Sequence, residues 1–357
     1  MKAIEVYQAL AERLDSLPNG FPPTTSGVEL KLLAKLFSPE QAVLAACLPL
    51  TKETAAEIAV RTKHDPIETR KMLKSMARSG LIAAERVESG IGYGLMPFVV
   101  GIYEMQIERI DRELAELFEA YYQEAFGTAL AFTPSFHRVV PIKESVRVDN
   151  QIQPYDQVNT ILETARSWGV MDCICRKQKA LIGDPCDHPV EVCMVFGSVP
   201  NAFDSNSTIR ALTLEQAEET LRFAARSGLV HCVSNNQKGI HYICNCCTCS
   251  CGILRGIAEL GVANVVAHSS FVNSVNLEVC IQCELCIDEC PFDAISLTDQ
   301  IQIDQQRCVG CGICIQHCTD DALELVPRAG SATPPETIKD WGSLRAQMRG
   351  LDLQDIH

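Results

Sequence analysis

No window of the sequence approaches the run of about eighteen uninterrupted apolar residues that a membrane span needs. The start, Met1-Lys2-Ala3-Ile4-Glu5-Val6-Tyr7, lacks the apolar core of a signal peptide. A nucleotide or flavin fingerprint is missing too. Gly90-Ile91-Gly92-Tyr93-Gly94 falls in an expected hairpin rather than at a strand-to-helix turn, and so fails on context as a dinucleotide motif. Nor does spacing place a nucleophile beside a base. His188, His231, His241 and His268 are present, but a lone histidine is more often structural than catalytic. Positive charge is scarce: 31 Lys and Arg stand against 45 Asp and Glu, for a net charge of −14. Between 276 and 326 the imbalance sharpens to ten acids (Glu278, Glu284, Asp288, Glu289, Asp293, Asp299, Asp304, Asp320, Asp321, Glu324) and one base, Arg307. Such a surface steers towards basic patches on partner proteins and repels nucleic acid.

What the chain has in quantity is cysteine, 19 in 357 residues. In a short secreted protein this would be a disulfide framework, but the chain is neither short nor secretory at its start, and a reducing cytoplasm, that of an anaerobe, is the expected setting. The length calls for two or three domains, and a hydrophobic content of 47% supports packed cores rather than a disordered scaffold.

Eight of the thiols form a doubled run. Cys280-Ile-Gln-Cys283-Glu-Leu-Cys286-Ile-Asp-Glu-Cys290-Pro291 recurs 28 residues later as Cys308-Val-Gly-Cys311-Gly-Ile-Cys314-Ile-Gln-His-Cys318. Two-residue gaps let a tight loop turn three sulfurs to one side, and in the bacterial pattern the fourth Cys of each run serves the other cluster. Cys280, Cys283, Cys286 and Cys318 then form one set, and Cys308, Cys311, Cys314 and Cys290 the second. Four-Cys zinc sites also use two-residue gaps, but as two separated pairs rather than triplets with an outlying fourth Cys. The echo continues beyond the thiols, Asp293-Ala-Ile-Ser-Leu297 answering Asp321-Ala-Leu-Glu-Leu325. On these residues, the stretch from about 276 to 326, roughly one seventh of the chain, resembles bacterial-type ferredoxins with two [4Fe-4S] clusters. The resemblance implies single-electron transfer, at low potential given the surrounding acids. One departure is Thr319, where Pro is expected; Pro there stiffens a turn and supplies no ligand.

Residues 39–100 read as helices followed by a hairpin. Pro39 to Leu48 is apolar, and Cys47 within it is expected in the core. Thr51-Lys-Glu-Thr54 opens a second helix, and Asp65-Pro66-Ile-Glu68 a third, with Asp as N-cap and Pro first. Leu81–Ala84 and Tyr93–Leu95 are expected strands. This order resembles a winged helix-turn-helix with 65–79 at the recognition position. Segment 51–80 carries seven bases (Lys52, Arg61, Lys63, Arg70, Lys71, Lys74, Arg78) against four acids, a modest stripe. Winged helices also dock proteins, so DNA binding is ranked second. From Ile102 to Phe126, apolar positions Ile107, Ile110, Leu114, Leu117, Phe118 and Tyr121 predict one long amphipathic helix.

Ten further cysteines crowd into 173–251: Cys173, Cys175, Cys186, Cys193, Cys232, Cys244, Cys246, Cys247, Cys249 and Cys251. Leu162–Cys173 aligns weakly with Leu221–Cys232 at an offset of 59, both reading as helix, glycine stop and strand. If extended, Cys173 and Cys175 share a face, as do Cys247, Cys249 and Cys251. Cys173, Cys175, Cys186 and Cys193 are the leading ligand set for a further metal centre, with Cys244, Cys246, Cys247, Cys249 and Cys251 completing it or building another. Past Val326 come a Pro/Ala/Ser/Gly linker and a helix whose Ile338, Trp341, Leu344 and Met348 are spaced for docking.

The expected architecture is an α+β multidomain chain: a helical, winged-helix-like domain at 1–100, a long amphipathic helix at 101–130, a Cys-rich α/β metal-binding domain at 131–275, a two-cluster ferredoxin domain at 276–326, and a linker with docking helix at 327–357. The expected cofactors are two [4Fe-4S] clusters and one or two additional [4Fe-4S] clusters or a zinc ion. The expected function is low-potential electron transfer to a partner oxidoreductase or complex, with this chain as a non-catalytic subunit; the alternatives are a redox-sensing winged-helix transcriptional regulator and a middle domain that is itself a reductase, with one cluster having an open iron site.

Overall fold

The computed structural model describes residues 3–141, 155, 158–262 and 265–352. It divides into two compact units, one comprising Met1–Thr133, Leu181–Gly183 and Gly342–His357, the other Pro134–Ala180 and Asp184–Trp341.

The first unit begins with helices α1 (Ala3–Asp15), α2 (Val28–Leu36) and α3 (Pro39–Ala46). Strand β1 (Glu53–Thr54), helices α4 (Ala55–Thr62) and α5 (Pro66–Arg78), and the hairpin β2 (Ala83–Val87) and β3 (Gly90–Gly94) follow. The helix starts come from side chains that satisfy the first free amides. Ser38 with Gln41, and Thr54 with Glu57, form reciprocal capping boxes, and Asp65 Oδ1 accepts from the amides of Ile67 and Glu68 at 2.9 Å. β3 lies between β1 and β2 in a three-stranded antiparallel sheet. Cys47 is exposed at the C-cap of α3 instead of lying in the core, because that helix ends one residue before it.

The long helix expected over 102–126 is interrupted. A 3-10 turn at Glu104–Gln106 precedes α6 (Arg112–Tyr121), and a π-helical turn at Tyr122–Phe126 leads into α7 (Gly127–Ala131). Asp111 restarts the helix by accepting from the Leu114 amide at 2.8 Å. Aromatic packing then overrides regular geometry: Tyr103 stacks on Phe118 with centroids 3.7 Å apart, and Phe21 meets Phe98 and Tyr121 at 4.6 and 4.8 Å. At the chain's end, Arg345 is fully buried, donating to the carbonyls of Pro18, Ala129 and Phe132.

In the second unit, β4 (His137–Val139), α8 (Val158–Thr164), β5 (Ser167–Asp172), α9 (Ile174–Leu181), β6 (Glu191–Gly197), β7 (Arg210–Leu212), α10 (Leu214–Arg226), β8 (Val230–Ser234), β9 (Tyr242–Cys246), α11 (Gly256–Glu259) and β10 (Val266–Ala267) build a seven-stranded sheet with helices. The order is β10-β4-β8-β9-β6-β5-β7, and only β10–β4 is parallel. The sheet is therefore mostly antiparallel, and with its helices it makes the Cys-rich middle region a mixture of helix and strand. Ile161, Leu162, Ala217 and Leu221 of α8 and α10 pack on Met194, Phe196, Val233 and Ile243 of the strands. Strand alternation consequently turns Cys193, Cys232, Cys244 and Cys246 to the opposite face. Gly228 is the expected helix stop, at φ 74°. Gly169 is not: it lies inside β5, opposite Val195, where a Cβ would fall 2.3 Å from Ile209 Cγ2.

The last segment holds β11 (Phe271–Val275), α12 (Leu285–Asp288), β12 (Ile295–Leu297), β13 (Ile301–Ile303), α13 (Ile313–Gln316) and β14 (Leu323–Pro327). β11 pairs with β14 and β12 with β13, so the pairing begins at Phe271, ahead of the boundary read at 276. The 28-residue repeat is carved into the backbone. Gln282, Glu284 and Asp293 have positive φ (58°, 65° and 47°), and their counterparts Gly310, Gly312 and Asp321 do as well (73°, 79° and 50°). At Gly310 contact also demands glycine: a Cβ there would lie 2.1 Å from the Phe271 carbonyl oxygen. The linker is tied down, Gln237 bonding to the Pro334 and Pro335 carbonyls. Beyond it α14 (Ile338–Met348) buries Trp341 and Ala346, while Ile338, Leu344 and Met348, expected to dock, are exposed. No helix among the described residues is long and apolar enough to cross a membrane.

Candidate metal centres

The eight C-terminal thiols fall into two groups of four. Cys280, Cys283, Cys286 and Cys318 line one pocket together. Cys283 is exposed and Cys286 is buried; burial, with charge at Cys280, Cys283 and Cys318, raises the Cys286 thiol. The second group lies deeper. Burial, together with charge at Cys290 and Cys308, pushes Cys311 up to about 12, and Cys314 rises well above its ordinary value for the same reasons. Each group thus brings the fourth Cys of one run beside the first three of the other. Amide donors face the sulfurs: Ala294 N–H to Cys290 Sγ and Ala322 N–H to Cys318 Sγ, both at 3.3 Å, and Asn273 Nδ2 to Cys314 Sγ at 3.1 Å. With Thr319 in place of Pro, the second turn still brings its amide to sulfur at the same distance as the first.

Seven thiols of the middle region make a third group, on and beside the sheet face opposite α8 and α10. Antiparallel register sets Cys232 directly across from Cys244, and the Met194–Ile243 pair brings Cys193 alongside Cys244. Thiol contacts run from Cys244 to Cys193, on to Cys173 and Cys175, then to Cys251 and Cys246 and back to Cys244, closing a ring. Cys232 joins through Cys246. Cys173 and Cys175 do not lie along a strand: Cys173 follows β5, and Cys175 is in the first turn of α9. Hydrogen bonds from Cys175 and Cys193, with Arg176 nearby, hold Cys173 well below its ordinary value against the opposing effect of burial. The same contacts, and burial, raise Cys175 and Cys193.

Arg176 is the charge at the centre of this region. It is 3% exposed, and only its Nη2 has a hydrogen bond, to the Asn245 carbonyl at 2.8 Å. Nε and Nη1 have no partner among the described residues. Burial works against its charge, but the thiols of Cys173, Cys247, Cys246 and Cys193 raise its pKa above the usual arginine value. A buried guanidinium facing sulfur requires an anionic counterpart, which metal-bound thiolates supply.

A fourth group comprises Cys186, His188, Cys247 and Cys249. Cys186 is therefore separated from Cys173, Cys175 and Cys193, with which the sequence had grouped it. The run 244–251 is likewise shared out, Cys244, Cys246 and Cys251 going to the third group and Cys247 and Cys249 to the fourth. The turn after β9, at 248–250, makes the division. Sequence reasoning missed His188 as a donor. Its signal was the one-residue gap in Cys186-Asp187-His188, matched by that in Cys247-Thr248-Cys249.

Residues 279–322 match the family model described as a 4Fe-4S dicluster domain. No curated protein and no solved structure matches the chain. The matched stretch, on the two four-thiol groups, gives the chain a ferredoxin-type domain with two [4Fe-4S] clusters as its cofactors, and hence a place in iron–sulfur electron transfer. The all-sulfur third group, the three cysteines and one histidine of the fourth, and the buried Arg176 also fit additional metal in the middle region.

Proposed function

We propose that this chain is an electron-transfer protein in which the dicluster domain and a further iron–sulfur centre in the seven-thiol group form one path. Cys280, Cys283, Cys286 and Cys318 hold the outer cluster, and Cys308, Cys311, Cys314 and Cys290 the inner one. The third centre takes its ligands from Cys173, Cys175, Cys193, Cys232, Cys244, Cys246 and Cys251. When bound, the clusters accept and release single electrons; the chain fixes their order and their surroundings.

The observation that carries this reading is that Cys232 lies within electrostatic reach of Cys311. Charge at Cys311 is felt at Cys232, which in turn bonds to Cys246 in the ring. The inner group also borders the outer one, since charge at Cys286 reaches Cys314. At the far end Cys283 is exposed, beside exposed Ile281 and Leu285 in the same pocket, with exposed Leu277 and Val279 just before it in sequence. An apolar rim set in an acidic surface suits a redox partner with a basic, partly apolar face. Asn273, Ala294 and Ala322 donate to sulfur and favour the reduced state, against the surrounding carboxylates.

The set β1, α4, α5, β2 and β3 supports a winged-helix reading of the N-terminal part. Arg70, Lys71, Lys74 and Arg78 are exposed on α5, but so is Ile67, at 76%. An apolar residue near the start of that helix favours protein docking, and DNA binding stays second.

Rapid-freeze EPR after mixing with a low-potential donor tests the order. Signals from the dicluster domain should appear first and a separate middle-domain signal later. Simultaneous appearance at every mixing time, or a middle-domain signal that appears first, contradicts the path.

A further inference from the structure

The electron path makes no use of Cys186, His188, Cys247 and Cys249. One donor atom from each of these residues lies within 4.8 Å of all the others. Cys186 Sγ is 4.0 Å from Cys247 Sγ, and Cys249 Sγ is 3.7 Å from His188 Nδ1. A tetrahedral ion with bonds of about 2.3 Å to sulfur and about 2.0 Å to nitrogen holds two thiolates ~3.8 Å apart, and a thiolate and an imidazole ~3.5 Å apart. A cubane places a corner iron under each thiolate and so spreads its ligands wider than a single ion does. The compact spacing fits a single ion, and three sulfurs with one imidazole suit zinc.

We infer that Cys186, His188, Cys247 and Cys249 bind one zinc ion in a closed, structural site. Two observations outside the four ligands point the same way. Ser250 Oγ donates to Cys186 Sγ at 3.2 Å, the kind of hydrogen bond that orients and tunes a metal thiolate. Arg176, buried and with two of its nitrogens without a partner among the described residues, has Cys247 among the thiols that raise it, which places a cation beside an anionic site. Binding releases the thiol protons to solvent and leaves three thiolates and a neutral imidazole around the ion.

The site pins the loop carrying Cys186 and His188 to the turn carrying Cys247 and Cys249. Cys246 and Cys251 flank that same turn and belong to the thiol ring, so the ion fixes the direction from which they approach it. The zinc assignment does not depend on what the ring holds.

The test uses the full chain purified without added metal, with zinc measured directly and cobalt(II) substituted as a spectroscopic probe. Wild type should carry about one zinc per chain, and its cobalt form should show tetrahedral bands with thiolate charge transfer. His188→Ala should lose the ion. His188→Cys, which keeps four donors, should retain it, with stronger sulfur-to-cobalt charge transfer. Zinc at trace level in wild type, or a cobalt spectrum unaltered by His188→Cys, would overturn the assignment.

Discussion

Replacing Cys311 with alanine is expected to stop electrons from reaching the middle-domain thiol group while the outer cluster site stays reducible. Cys311 is the inner-group thiol whose charge reaches Cys232, and it is raised to about 12 by burial and by its neighbours Cys290 and Cys308. An unmetallated thiol in that place is neutral, so only a bound metal makes it a thiolate there. Its loss should lower iron by up to roughly four atoms per chain, the content of one cubane. In rapid-freeze EPR the outer signal should form at the normal rate and the late middle-domain signal should be missing. Cys311→Ser, which keeps an oxygen donor, should recover part of the iron. Cys47→Ala, at an exposed thiol outside every group, should change nothing. A middle-domain signal that forms normally in Cys311→Ala would break the proposed order.

Arg176→Gln should move the midpoint potential of the middle-domain centre to more negative values. The guanidinium is buried and faces Cys173, Cys193, Cys246 and Cys247, so its charge favours the more negative, reduced state of any metal centre bound there. Removing it should lower the potential by on the order of 60 mV, a tenfold change for a one-electron couple. Loss of one partner from a buried charge pair also costs roughly 3 kcal/mol in stability. Arg176→Lys keeps the charge but loses the fork that bonds to the Asn245 carbonyl, and should restore most of the potential. Potentials in redox titration separate the two roles: a purely packing role for Arg176 would lower stability in both variants and shift the potential in neither.

The C-terminal site was legible because its ligand pattern is local. Two-residue gaps, repeated at 28 residues, mark both loops, the ferredoxin resemblance they carry implies the exchange of the fourth thiol, and the positive φ values recur at the same offset. The helix start at Asp65 was legible for the same reason, being set by a side chain two and three residues from the amides it caps. The middle region was legible only as a concentration of cysteine. Its grouping depends on strand register, which sets Cys232 across from Cys244, and on a turn that sends Cys247 and Cys249 away from Cys246 and Cys251. Neither is written in spacing alone. Cys175 was read as strand because it alternates with Cys173, but the chain turns into α9 between them. The interruption of the helix at 102–126 came from the stacking of Tyr103 on Phe118 and from Phe21, which lies far away in sequence. Periodicity cannot register a partner at that distance.

The most direct measurement of the central claim is iron and acid-labile sulfide on the full chain purified anaerobically. Two cubanes in the dicluster domain and one in the seven-thiol group require about twelve of each per chain. About eight of each, with the dicluster signals intact, would mean that the ring of thiols around Arg176 holds no cluster and that the path ends at Cys311.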